Sequence, residues 1–229
     1  MSRNIPISFE FFPTKTDEGT QKLLQVHQRL AALNPSYFSV TYGAGGSTRE
    51  RTLSIVDSIQ QAAPIAVAPH LSCIGDDKAE IAALLHRYKN QGIKNLVALR
   101  GDLPSGQVGL GELPYARDLV EFVRQETGDH FHIEVAAYPE MHPQSYDYES
   151  DLKNFVAKVN AGADSAITQF FFDVDTYLRF LDRARAAGIT AEIVPGILPV
   201  TNVAQLKKFA GMCGTAVPGW LDTLFSGLD

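Results

Sequence analysis

The chain of 229 residues is long enough for one large domain, because α/β barrels of this length commonly stay undivided. A net charge of -6 and a pI near 5.5 lack the excess of Lys and Arg that a phosphate backbone requires, which sets nucleic acid aside as a partner and favours small molecules. Two cysteines, Cys73 and Cys213, without CxxC or metal-like spacing argue against a disulfide scaffold or a zinc site and fit a reducing cytoplasm; with no apolar leader after Arg3 and no apolar run of about 18 residues, neither export nor membrane spanning is expected.

Apolar, β-rich runs at 7–12, 37–42, 65–71, 95–100, 132–138, 166–172 and 192–198 recur at intervals of roughly 30 residues and predict about seven strands. Segments with helical periodicity fill the gaps, at 20–33, 48–61, 79–91, 116–125, 151–161, 176–187 and 203–212. Gly92, Gly162 and Gly188 each follow a helical segment and precede a strand, where a left-handed residue ends a helix. Strict alternation predicts a parallel sheet covered by helices, closed as a (β/α)₈ barrel or left open and doubly wound. A dinucleotide fingerprint would favour the open sheet, but Gly43-Ala44-Gly45-Gly46-Ser47-Thr48 has Thr48 where the third glycine belongs. The expected fold is therefore a TIM (β/α)₈ barrel. No linker divides it, so 1–229 is expected to be a single domain; only one helix and the segment 217–229 follow the seventh strand, so the eighth strand and last helix are expected to be absent from this chain.

In a barrel, side chains alternate between the interior and the helix layer, and chemistry gathers where strands end at the C-terminal face. In Ile7-Ser8-Phe9-Glu10-Phe11-Phe12, Glu10 is flanked by aromatics. A carboxyl in so apolar a setting would hold its proton more tightly, as a general acid near neutrality requires; pairing with a barrel Arg or Lys is the alternative. Arg100 and Asp102, two apart at the end of the fourth strand, share a face and read equally as an ion pair or as ligand contacts. His70 ends the third strand and His142 follows the fifth. Without a third ligand at a recognisable spacing, they point to hydrogen bonding with a cofactor or to packing, and no metal is expected. Thr41 and Gln169 finish the second and sixth strands, where a neutral amide can hydrogen-bond a substrate ring without adding charge; each could equally be a satisfied core group. Ser47-Thr48 offers a phosphate cradle or, more commonly, an N-cap. Phe170-Phe171-Phe172, Tyr37-Phe38 and the lone Trp220 are assigned to packing.

Taken together, Phe9-Glu10-Phe11-Phe12-Pro13, Val40-Thr41-Tyr42-Gly43-Ala44-Gly45-Gly46-Ser47-Thr48, Pro69-His70-Leu71, Leu99-Arg100-Gly101-Asp102, Ala137-Tyr138-Pro139-Glu140, Ile167-Thr168-Gln169-Phe170-Phe171-Phe172-Asp173 and Pro195-Gly196-Ile197-Leu198-Pro199 closely resemble the bacterial, FAD-dependent methylenetetrahydrofolate reductases, in order and in spacing, over essentially the whole chain. The resemblance implies an FAD-binding barrel that reduces 5,10-methylenetetrahydrofolate to 5-methyltetrahydrofolate, with hydride passing from NADH or NADPH through FAD by a ping-pong mechanism, in the cytoplasm and as a homo-oligomer. It implies Glu10 as the general acid that opens the folate's imidazolidine ring, and Asp102 as the carboxylate that favours the cationic iminium. Tyr42, Ala44, His70, Arg100, Gly101, Asp102, Tyr115, Ala116, Tyr138, His142, Asp151 and Lys158 match positions around FAD, and Thr41 one that contacts the nicotinamide cofactor. Asp102, Gln169, Gln205 and Phe209 match substrate contacts, with Phe209 expected to stack on the aminobenzoyl ring. The family continues past Asp229 with a helix, a strand and a closing helix, so this chain reads as C-terminally truncated. The loop 103–112 differs from the family pattern. Two competing readings stand beside this one: a truncated barrel that binds flavin or folate without turnover, marked by the missing strand, and a metal-dependent hydrolase built on His70 and His142, which would need a further ligand.

Overall fold

The computed structural model describes residues 5–42, 46–102 and 111–225, and for 46–48 the backbone alone. Along the described residues, strands and helices alternate: β1 (Phe9–Phe11), α1 (Asp17–Ala31), β2 (Tyr37–Val40), α2 (Gly46–Ala62), β3 (Ala66–Ser72), α3 (Lys78–Asn90), β4 (Asn95–Leu99), α4 (Ala116–Thr127), β5 (His132–Ala137), α5 (Tyr148–Asn160), β6 (Ser165–Thr168), α6 (Val174–Ala186), β7 (Glu192–Val194), α7 (Val203–Cys213) and α8 (Gly219–Phe225). The seven strands follow one another in a single sheet in chain order. Pairing is parallel from β1 through β4 and again between β6 and β7, as alternation with helices requires. By internal contacts the chain divides into two compact units, 1–134 and 135–229, with the cut inside β5.

Each predicted strand is present but most are shorter than the apolar run that announced it, because the ladder thins to single hydrogen bonds at its ends. Ser36 N–H donates to the Ile7 carbonyl at 2.8 Å, Thr41 N–H to Phe11 at 2.9 Å, and Gln169 N–H to Ala137 at 2.8 Å. β7 stops at Val194 because Pro195 has no N–H to donate. Two helices start about a turn earlier than their apolar periodicity shows. Thr16 caps α1 by accepting from Gly19 N–H at 3.1 Å, and Asp147 caps α5 by accepting from Ser150 N–H at 2.7 Å. Gly92, Gly162 and Gly188 sit just past α3, α5 and α6 with positive φ, as predicted.

The first unit buries Phe38, Ile55, Ile81, Leu85, Leu96, Leu119 and Phe131 between sheet and helices. In the second, Phe170, Leu206, Ala210 and Leu221 form the centre of a cluster that Phe172, Phe209 and Phe225 flank. Phe170 and Phe38 are thus core residues, whereas Trp220 on α8 is half exposed. Among the described residues, no helix is long and apolar enough to cross a membrane.

Candidate functional site

The site residues of the first unit are set by strand register. Phe9 and Phe11 stack on Phe38 with ring centroids 6.0 and 5.5 Å apart, and His27 from α1 packs on the same Phe38 ring at 4.4 Å. Strand alternation therefore turns Glu10 to the opposite face, away from α1. The flanking aromatics leave its surroundings for the same reason. This corrects the expectation of an apolar setting: the Glu10 side chain is 40% exposed, and its Oε2 lies 3.4 Å from Nε2 of His70. The register Glu10↔Ser39↔Ala68 places His70 one alternation further along β3, on the same face. His70 is buried, and its Nε2 has no hydrogen-bond partner.

On this face Tyr37 donates its hydroxyl to Glu134 Oε2 at 2.6 Å, with Ser8 also hydrogen-bonding it. Burial, reinforced by the Glu134 carboxylate, pushes the Tyr37 phenol well up. The reading of Tyr37 as plain core is corrected here: the hydroxyl is engaged in a part-buried polar pair. A carboxylate in mid-strand, His132-Ile133-Glu134-Val135, is the sequence signal that could have found it.

β4 ends at Leu99, and Gly101 has φ +85°, so the alternation that put Arg100 and Asp102 on one face does not reach them. Instead the Arg100 carbonyl accepts from Ser72 Oγ at 2.8 Å and from Ile74 N–H at 3.0 Å, which fixes the turn against β3. Asp102 is exposed. The Thr41 carbonyl accepts from Thr52 Oγ1 at 3.2 Å. Tyr42 donates to Asp76 Oδ2 at 3.3 Å, and Arg49 holds the same oxygen at 3.4 Å. Burial pushes the Asp76 carboxyl up while Arg49 opposes it. Tyr115 precedes α4, its N–H donating to Asp118 at 2.9 Å and its ring under Arg117; Ala116 is the first helical residue. The Tyr115 carbonyl, with those of Leu99 and Arg100, accepts from the buried Cys73 thiol, which burial pushes up to about 12. Ala44, the side chains of Ser47 and Thr48, and residues 103–110 of the loop 103–112 lie outside the described residues.

In the second unit, Tyr138 and His142 meet edge to face at 4.6 Å. Asp151 ties the loop to α5, accepting from His142 N–H at 3.2 Å and from Ser145 Oγ at 2.8 Å. His142 Nδ1 accepts from Gln144 N–H at 3.0 Å, which leaves Nε2 to carry the proton of the neutral ring. Lys158 Nζ donates to the Ala136 carbonyl, and burial pushes the ammonium down to about 8 against the pull of Asp151. The Gln169 side-chain carbonyl accepts from Phe170 N–H at 3.1 Å. Gln205 is exposed in the first turn of α7, its N–H donating to the Asn202 cap at 2.8 Å. Phe209 stacks on Phe170 at 5.4 Å, so one of its faces is already covered. Glu140, which the sequence reading left without a role, accepts from Ala216 N–H with both oxygens, beside a cavity lined by Tyr148, Arg179 and Arg183. Among the described residues, no group of three His, Cys, Asp or Glu side chains converges.

The chain is similar to known proteins over its whole length. The family model described as methylenetetrahydrofolate reductase matches residues 1–229. The chain is 50% identical over 225 residues to the 5,10-methylenetetrahydrofolate reductase of Salmonella typhimurium, covering 98% of this chain and 75% of that protein, and equally similar to that of Escherichia coli. A methylenetetrahydrofolate reductase (NADH) of Zea mays is 40% identical over 224 residues, which are 38% of its length. Among solved structures, an uncharacterized Clostridium thermocellum protein, described as binding two copies of 5-methyl-5,6,7,8-tetrahydrofolic acid, superposes with a TM-score of 0.66 over 95% of this chain and 74% of its own, at 16% identity.

Proposed function

Because the chain belongs to the methylenetetrahydrofolate reductase family, we propose that it reduces 5,10-methylenetetrahydrofolate to 5-methyltetrahydrofolate, with hydride taken from NADH or NADPH and passed on through FAD in a ping-pong sequence. The observation that carries this reading is the position of Glu10, on the sheet face turned away from the helices and beside a buried histidine. A carboxyl there can give a proton to the folate and open its imidazolidine ring to an iminium, while still reaching solvent to recover the proton. The exposed carboxylate of Asp102 supplies negative charge to favour the cation so formed.

When bound, FAD supplies the two-electron chemistry that no side chain can. The donor set fits it. Lys158 uses one of its three N–H donors on Ala136, leaving two for a diphosphate, and Arg100 contributes a guanidinium. Tyr42, Ala44, His70, Gly101, Asp102, Tyr115, Ala116, Tyr138, His142 and Asp151 complete the proposed cofactor set, with Thr41 toward the nicotinamide. Gln169, Gln205 and Phe209 join Asp102 as substrate contacts, the uncovered face of Phe209 taking the aminobenzoyl ring. The reading includes the seven strands as members of a (β/α)₈ barrel forming one domain, and a cytoplasmic homo-oligomer.

Stopped-flow measurement of the two half-reactions tests it. Glu10→Gln is expected to slow folate reduction by about 100-fold or more, the size of a lost general acid, and to spare flavin reduction by NADH. Equal loss in both would reject the role given to Glu10. A visible spectrum without flavin bands, taken on the protein after incubation with FAD and removal of the unbound cofactor, would reject the cofactor.

A further inference from the structure

Beyond Glu10 itself, the same sheet face holds an unexplained atom. His70 Nε2 is buried without a hydrogen bond, in a protein class where such atoms normally find partners. Glu10 Oε2 lies 3.4 Å away, within ion-pair distance but not aligned as a hydrogen bond. Among the described residues this face also holds the titratable Tyr37 on β2 and, by alternation along β5, Glu134 and His132, and the Tyr37 hydroxyl is directed at Glu134. His70 is also the more enclosed member of the pair, buried in β3 where the Glu10 side chain is 40% exposed.

We infer that His70 is the positioning residue of Glu10: its Nε2–H aligns on the carboxylate and holds it in one orientation toward the folate. In the proton transfer, the O–H bond of Glu10 breaks and an N–H bond forms on the folate. The carboxylate left behind keeps its charge and accepts from Nε2–H, while His70 itself neither gains nor loses a proton. This rests on the proposed role of Glu10, and the experiment separates the two.

His70→Leu keeps bulk and removes both nitrogens; His70→Gln restores a donor near the place of Nε2. In stopped-flow assays of the flavin-loaded protein, His70→Leu is expected to slow folate reduction by about 10- to 100-fold more than it slows flavin reduction by NADH, the cost of a misplaced catalytic group. His70→Gln recovers part of the loss, and His70→Leu adds nothing further in a Glu10→Gln background, because the two act as a unit. A second readout needs no turnover: ¹⁵N NMR at neutral pH should show His70 with its proton on Nε2, and Glu10→Leu should disturb that preference. An unchanged folate rate in His70→Leu, equal loss in both half-reactions, additive losses in the double variant, or a His70 signal indifferent to Glu10→Leu each overturn the inference. Full folate reduction by Glu10→Gln would instead sink the general-acid reading on which it stands.

Discussion

Gly196 has no room for a methyl group. A Cβ there would lie 2.2 Å from the Thr168 carbonyl oxygen, a main-chain atom that cannot rotate away. Gly196→Ala is expected to cost about 2–3 kcal/mol, the range of an overpacked core, read as a lower urea midpoint at unchanged slope. His27 makes a different demand. It is fully buried against Phe38 with neither ring nitrogen hydrogen-bonded, and burial lowers its pKa. The unfolded chain therefore takes up this proton first as pH falls, so stability is expected to decline from about pH 6.5 downward until the folded ring protonates. His27→Phe should flatten the decline by up to about 1.4 kcal/mol per pH unit; identical Tm-versus-pH curves for both proteins would show that His27 contributes nothing. At this scale the identity of Glu10 was legible but its surroundings were not. Alternation in Phe9-Glu10-Phe11 implies that the aromatics face away, and the nearness of His70 follows from the register of β1 on β2 and β2 on β3, which no local pattern states.

Helices and strands were legible as a series, because apolar periodicity is what buries them. Their ends were not, since ends are decided by caps and turns. α3 shows the physics: Asp77 Oδ1 accepts from Glu80 N–H at 2.7 Å and Glu80 reaches back to Asp77 N–H at 3.4 Å, a reciprocal cap in a stretch that reads as polar loop. Asp77→Ala is expected to cost about 1 kcal/mol and Asp77→Asn much less. Equal midpoints in a denaturation series of the three proteins would mean that the cap is idle. The β4 end illustrates the opposite failure. Extending strand alternation through Arg100 and Asp102 ignored Gly101, whose positive φ and closeness to Ser72 end the strand geometry there.

For the whole molecule, the succession of strands and helices was readable because each repeat places an apolar run where the next must pack. Ligand binding should be visible as stability. FAD at about 100 times its Kd is expected to add about 2.7 kcal/mol, measured as a raised urea midpoint, with no shift meaning no binding to the folded chain. Lys158→Met should diminish that gain yet leave the flavin-free protein no less stable, because it removes a cation that burial already disfavours. A flavin-free Lys158→Met protein that unfolds more readily would show that the lysine's bond to Ala136 is structural. The sealed Cys73 thiol turns these comparisons into a timing experiment. Held under three carbonyls and weakly acidic, it can meet an alkylating reagent only when the β3–β4 layer comes apart. The labelling rate of its peptide thus works as an internal clock for breathing of the first unit, one that bound cofactor should slow.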